Sequence, residues 1–211
     1  MRIILLGAPG SGKGTQAEYI SEKLSIPSVS TGAILREAVQ NKTSIGIKAK
    51  EYMDSGSLVP DDIILGIVGE KINSDECKNG VIFDGFPRNV AQAEAFESIC
   101  EMDCVLLFDV PDEVIKRRLT GRRACSDCGK TYHIDSNPPR TENICDACGG
   151  KLIQRSDDSE QTIAARLKVY HEETEPLIEF YKTRGKVKVI PGDLDVAQTA
   201  AAVADTLGYK I

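Results

Sequence analysis

The chain has 211 residues, a net charge of −6 from 26 Lys and Arg against 32 Asp and Glu, and no apolar run as long as a membrane span. That length suits one domain with insertions better than two separate domains, and the acidic balance argues against a nucleic-acid or membrane surface as main partner. Met1-Arg2 leads straight into an apolar run, so no signal peptide is expected; seven cysteines, an odd number, suit a reducing cytoplasmic compartment, metal binding and spare buried thiols rather than disulfides.

Arg2-Ile3-Ile4-Leu5-Leu6 is short and apolar enough for a strand buried on both faces. Gly7-Ala8-Pro9-Gly10-Ser11-Gly12-Lys13-Gly14-Thr15 follows, and residues 16–24 then carry apolar side chains at helical spacing. Strand, glycine loop, helix is the context of a phosphate-binding loop. The glycines let main-chain N–H groups and the helix N-terminus point at phosphate oxygens, and Lys13 adds a point charge. One position departs from the usual pattern. The residue directly after the lysine, normally a Ser or Thr that holds magnesium, is Gly14, and the hydroxyl follows at Thr15.

Further strand patterns lie at 81–84, 104–110 and 187–190, with helical patterns at 89–99, 112–120, 160–181 and 195–207. Strands alternating with helices imply a parallel sheet covered on both faces, with ligands at the strands' carboxyl ends. Cys77, Cys100 and Cys104 read as small buried hydrophobes. Two segments break the alternation. Residues 30–60 show helical signals without a core strand, and residues 122–156 are polar, turn-rich and cysteine-bearing. Mobile lids are usually built from insertions of this kind.

Within the second segment, Cys125-x2-Cys128 and Cys145-x2-Cys148 are separated by sixteen residues, a four-cysteine zinc spacing. Four thiolates fill the tetrahedron, so a structural metal is expected. Gly129, Gly149 and Gly150 sit just past the knuckles, and Ile134, Ile144, Leu152 and Ile153 are the expected mini-core. So small a module needs a staple. A nucleic-acid-binding zinc ribbon is the competing reading, disfavoured by the nearby Asp127, Asp135, Glu142 and Asp146. His133 is expected to be a structural hydrogen-bonder rather than a ligand. Asp157-Asp158 precede a long helical pattern, where capping and arginine pairing are both open.

The chain resembles the adenylate kinases of the long-lid, zinc-binding type essentially end to end. The resemblance rests on residues 7–15, Ser30-Thr31-Gly32 with Arg36, Asp84-Gly85-Phe86-Pro87-Arg88 with Gln92, Gly121-Arg122-Arg123, and Arg155 through Arg166. It implies an α/β fold of the P-loop NTPase type, with a core of residues 1–29, 61–121 and 157–211. It also implies an AMP-binding insertion at 30–60 and a zinc-binding lid at 122–156. The reaction implied is reversible, magnesium-dependent phosphoryl transfer from ATP to AMP, giving two ADP.

In that resemblance Lys13, Arg88, Arg122, Arg155, Arg166 and Asp84 carry the chemistry, Asp84 orienting magnesium through its waters. ATP would meet Gly10, Ser11, Gly12, Lys13, Gly14 and Thr15, with Arg122 over its phosphates. Arg118 would stack on its adenine, Gly192 and Leu194 would contact that base through the main chain, and Thr131 and Tyr132 would face ATP. AMP would meet Thr31, Arg36, Ser57, Leu58, Val59, Gly85, Phe86, Pro87, Arg88 and Gln92, with Arg155 and Arg166 closing over the phosphates. No general base is needed, because a phosphate acceptor with a second pKa of about 6 is already largely ionised. Where the family commonly has aspartate after Ser-Thr-Gly, this chain has Ala33. A cytoplasmic monomer acting on ATP, AMP and ADP is expected, with no nucleic-acid or membrane partner. Another nucleoside monophosphate kinase (UMP, CMP or GMP) is the alternative, although Thr31 and Gln92 favour AMP. A nucleotide-switch GTPase is disfavoured, because no Asn-Lys-x-Asp stretch is present to read guanine.

Overall fold

The apolar runs align as one five-stranded parallel sheet. In the computed structural model, which describes residues 1–192 and 194–209, the strands are β1 (Arg2–Gly7), β2 (Ser28–Ser30), β3 (Val81–Asp84), β4 (Cys104–Asp109) and β8 (Val187–Pro191), in the order β2-β3-β1-β4-β8. Ile4 lies opposite both Phe83 and Val105, so three apolar side chains share a level. Successive side chains point to opposite faces. Ile4, Leu6, Phe83, Val105 and Leu107 therefore meet one helical layer, and Ile3, Leu5, Ile82, Leu106 and Phe108 meet the other.

The first layer is α2 (Thr31–Gln40), α4 (Asp61–Ile72), α5 (Val90–Glu97) and α8 (Pro176–Lys182), with α3 (Ser44–Ser55) beside α2. Its centre is an aromatic trio: Phe83, Phe86 and Phe96 meet edge to face with ring centroids 4.9–6.1 Å apart. The second layer is α1 (Lys13–Leu24) and α9 (Val196–Leu207), which contribute Ala17, Ile20 and Val203. Helix α6 (Asp112–Gly121) and α7 (Glu160–Val169) pack together through Ile115, Leu119, Ile163 and Leu167. The α/β architecture with helices on both faces is thus the expected one. No described helix is long and apolar enough to cross a membrane.

Four details differ from the sequence reading. A core strand, β2, runs up to Ser30; with only Val29 buried in three residues it offers no period to detect. Helix α4 was not expected, having no clear helical face in sequence. The single helix expected over 160–181 is α7, a π turn (Tyr170–Thr174) and α8. Pro176 has no N–H to continue the ladder, and the Glu175 N–H instead reaches Tyr170 O at 2.8 Å. The 122–156 segment contains a three-stranded antiparallel sheet, β6 (Thr131–His133), β5 (Arg122–Cys125) and β7 (Leu152–Ile153), in that order. Its mini-core is Cys125, Tyr132, Cys145 and Leu152. Of the four aliphatic residues expected there only Leu152 is buried; Ile134, Ile144 and Ile153 are 52%, 44% and 44% exposed. Strands this short leave room for one layer, and the thiols and the tyrosine ring fill it.

The three remaining cysteines behave largely as small hydrophobes. Cys77 and Cys100 are buried and Cys104 half-buried. Burial pushes the Cys104 thiol up to about 11.

Candidate active site

The loop after β1 turns on glycines that no other residue replaces freely. At Gly10, φ is 82° and an added Cβ would lie 2.7 Å from Leu119 Cγ. Gly12, at φ 101°, caps α1 without a side-chain bond, and the first turn of α1 holds no acidic residue. The N–H groups of that turn, from Lys13, Gly14 and Thr15, are therefore left for an anion. Lys13 Nζ donates to Gly7 O at 2.8 Å, Ala8 O at 2.7 Å and the buried Ser11 Oγ at 3.3 Å. Burial pushes this ammonium down to about 8, opposed by Asp84 and reinforced by Arg88, Arg166 and Arg122.

These groups meet at the carboxyl ends of β1, β2 and β3, in a cleft that Lys13, Arg36, Arg88, Arg122, Arg155 and Arg166 all line. Asp84 and Asp157 share it. Arg122 is gripped by Asp158, Nε to Oδ2 at 2.8 Å and Nη2 to Oδ1 at 2.6 Å, although the two are 36 residues apart. Arg166 Nη1 reaches Asp157 O at 2.9 Å and Oδ2 at 3.0 Å, and Asp158 Oδ1 at 3.4 Å. Both aspartates therefore pair with arginine, and Ser159, whose hydroxyl accepts the Thr162 N–H, caps α7. Among the described residues Arg36 and Arg155 have no ion-pair partner.

Six cationic side chains thus face three carboxylates, Asp84, Asp157 and Asp158. Burial, with mutual repulsion, holds Arg36, Arg88, Arg155 and Arg166 below the usual guanidinium range. Arginine stays charged at neutral pH all the same. Burial works to raise the Asp157 carboxyl; Arg166, Arg122, Arg36 and Arg155 outweigh it and leave it below the ordinary value. Charge this concentrated and desolvated is costly without a counter-anion. A polyanion with several oxygens supplies one.

Arg88 is held by its own loop. Its Nε donates to Gly85 O at 2.8 Å, its N–H to Gln92 Oε1 at 2.8 Å, and its carbonyl accepts Thr174 Oγ1 at 2.6 Å. Thr31 Oγ1 also reaches Gly85 O at 2.8 Å, and Asp84 Oδ2 accepts from Ser30 Oγ at 3.2 Å. Thr31, Ser57, Leu58, Val59, Gly85, Pro87 and Gln92 complete this side of the cleft. Two residues here were missed from sequence. Thr174, in the π turn, supports Arg88, and Asp61, at the start of α4, accepts from Gln92; neither carries a local signal beyond a helix start.

In the neighbouring segment the four cysteine sulfurs lie within 4.8 Å of one another. Cys125 and Cys148 are 3.4 Å apart, and Cys128 and Cys145 3.6 Å. Tetrahedral zinc with Zn–S bonds of about 2.3 Å separates its sulfurs by about 3.7 Å. The donor set and spacing therefore fit zinc. At Gly150 an added Cβ would fall 2.8 Å from Cys125 Sγ, so a side chain there would crowd the cluster.

A family model described as adenylate kinase matches residues 5–186. The chain belongs to the adenylate kinase family. The adenylate kinase of Caldicellulosiruptor bescii is 53% identical over 215 aligned residues, covering the whole of both chains. That of Acetivibrio thermocellus is 51% identical over 217 residues, again covering both, and that of Clostridium tetani 49% over 213 residues, 99% of each.

Not every residue expected from an adenylate kinase faces the cleft. Phe86 is fully buried in the aromatic trio, so its side chain belongs to the core rather than to an AMP pocket. The Tyr132 ring, expected toward ATP, is turned into the cysteine cluster. Its hydroxyl lies 3.4 Å from Cys145 Sγ and accepts the Asp146 N–H at 2.8 Å. Thr131, on the same strand, is only half-buried. Arg118 lies apart from the other arginines and ties the phosphate loop to the segment after β8. It donates to Ser11 O at 3.4 Å, Gly192 O at 3.1 Å and Leu194 O at 3.5 Å; Asp193, between the last two, lies outside the described residues. His133 Nδ1 accepts the Asp135 and Ser136 N–H groups at 3.1 and 3.2 Å, which makes it the structural hydrogen-bonder expected.

Proposed function

We propose that this cleft performs the adenylate kinase reaction, reversible transfer of a phosphoryl group from ATP to AMP giving two ADP, with magnesium brought by the nucleotide. The convergence of Lys13 and five arginines on one cleft carries the reading. Phosphoryl transfer depends on in-line positioning and charge neutralisation, and guanidinium groups bind phosphate oxygens in pairs. Lys13 and the loop N–H groups hold the ATP phosphates, while Arg36 and Arg88 hold the phosphate of AMP. Thr31, Gln92 and residues 57–59 take its base and ribose. Arg122, Arg155 and Arg166 stabilise the group in flight. Asp84, beside the loop at Gly14, orients the magnesium waters, a role that the missing hydroxyl at Gly14 leaves to it. Residues 30–60 act as the AMP-binding insertion and 122–156 as the lid.

Zinc held by Cys125, Cys128, Cys145 and Cys148 supplies cross-linking to that lid and no catalytic chemistry, because four thiolates leave no open position. We expect a monomer, working in the cytoplasm.

A coupled assay with ATP as donor and AMP, GMP, CMP or UMP as acceptor tests the reading. AMP is expected to give the highest kcat/KM. Faster turnover of UMP than AMP moves the chain to another nucleoside monophosphate kinase activity.

A further inference from the structure

Gln92 is buried in the cleft wall, and its amide is held at both ends. Its Oε1 accepts the Arg88 main-chain N–H at 2.8 Å, and its Nε2 donates to Asp61 Oδ1 at 2.6 Å. Each holder is chemically one-sided. A main-chain N–H only donates, and an ionised carboxylate only accepts. Turning the amide over would set N–H against N–H and oxygen against carboxylate, leaving buried polar groups unpaired. Asp61 is fixed in turn, since Asn89 Nδ2 donates to its two oxygens at 3.2 and 3.3 Å, while Asn89 Oδ1 takes the Gln92 main-chain N–H at 2.8 Å. A primary amide has two N–H groups and two lone pairs. The lock uses one of each, and one of each is left for a ligand.

We propose that Asp61 is a positioning residue for base specificity: by locking the Gln92 amide in one orientation, it makes the site select a 6-amino over a 6-oxo purine monophosphate. The inference rests on the adenylate reading of the cleft. Adenine presents the N6 donor beside an acceptor, N1 on one edge and N7 on the other, and the free lone pair and N–H of Gln92 match either edge. A 6-oxo purine puts an acceptor, O6, where the amide oxygen needs a donor. On the N7 edge one bond is lost to repulsion, and on the N1 edge both are. Asp61 imposes this choice without touching the nucleotide.

Unmodified protein provides the first test. Calorimetry measures Kd for AMP, for purine riboside 5′-monophosphate, which has only hydrogen at C6, and for inosine monophosphate. A locked amide gives the order AMP, purine riboside, inosine, with AMP ahead of inosine by roughly ten- to a hundredfold. An amide free to turn over would serve the inosine base at least as well as the purine riboside. Inosine monophosphate binding as tightly as the purine riboside compound therefore overturns the proposal.

Asp61→Asn is the second test, because asparagine presents either polarity to Gln92. The AMP-to-inosine ratio of kcat/KM should fall through the acceptor KM, by up to about tenfold because the Arg88 N–H alone still opposes the turned amide, with KM for ATP unchanged. A residue serving only the start of α4 would alter the melting temperature and leave that ratio alone. A folded variant with the wild-type ratio overturns the role of Asp61. Wild-type protein that failed to bind AMP would instead sink the adenylate reading itself.

Discussion

Arg88 shows how much of this site is carried by single side chains. Its main-chain bonds to Gln92 and Thr174 survive truncation, so Arg88→Ala removes a buried guanidinium while leaving its loop in place. Loss of a transition-state clamp costs several kcal/mol, and kcat/KM is expected to fall on the order of 10²–10⁴-fold. The melting temperature should hold or rise, because like charges in the cleft repel; steady-state kinetics and calorimetry on one preparation check both. Lys13 adds a pH dependence. Its ammonium is lowered from the usual 10.5 to about 8, so below pH 8 the unliganded fold carries the cost of a buried charge, and that cost is relieved as pH rises from about 8 toward 10.5. Nucleotide binding has the opposite sign. The charged form holds the phosphates, so ATP affinity should weaken as pH rises through 8, by up to about tenfold per unit, with proton uptake on binding. Titration calorimetry at pH 7, 8 and 9 in buffers of different ionisation enthalpy measures this, and binding without proton uptake at pH 8–9 would refute the Lys13 assignment.

Among the elements, the β6-β5-β7 sheet depends most on something other than its own packing. Its core is two thiols, one tyrosine ring and Leu152, while Ile134, Ile144 and Ile153 face outward. Isolated zinc fingers draw roughly 10–16 kcal/mol of apparent binding energy from such a site. Anchoring at both ends to the core offsets part of that here. Replacing Cys125 and Cys128 together by Ser should release zinc and lower the melting temperature of this segment. Strand β5 also carries Arg122, yet Asp158 grips that guanidinium from beyond the segment and is itself fully buried. Lys13, Arg36 and Arg88 lie outside the segment altogether. Measurable turnover is therefore expected in a cool assay, alongside zinc content and calorimetry of the same material. Activity abolished in a zinc-free protein with this sheet still folded would show the metal to be catalytic.

At the scale of the whole molecule, residues 30–60 and 122–156 are joined by an exposed hydrogen bond, Gln40 Nε2 of α2 to Ser126 O beyond β5 at 3.3 Å. Thr162 Oγ1 of α7 ties α3 to the core through Asp54 O at 3.5 Å. A phosphoryl-transfer site has to exclude water. If residues 30–60 and 122–156 close over the cleft, fluorophores at the exposed positions Glu22, Lys48 and Glu142 should report shorter distances from Glu22 to the other two when a ligand joining ATP to AMP is added; distances that stay constant would sink the closure. The sequence alone determined the phosphate loop between β1 and α1, the four-cysteine set and the segments that interrupt the α/β alternation. Each of these is written in local spacing, where period and motif act over a few residues. Tertiary structure alone decided that β2 joins the sheet edge, that 160–181 breaks at Pro176, and that Phe86 and Tyr132 turn inward. It also decided that Asp158 pairs with Arg122 across 36 residues and that Asp61 holds Gln92 across 31. Such choices follow from which side chains folding brings within bonding distance; the sequence left arginine pairing open for Asp157-Asp158 without naming the partner, and for the others local spacing gives no signal.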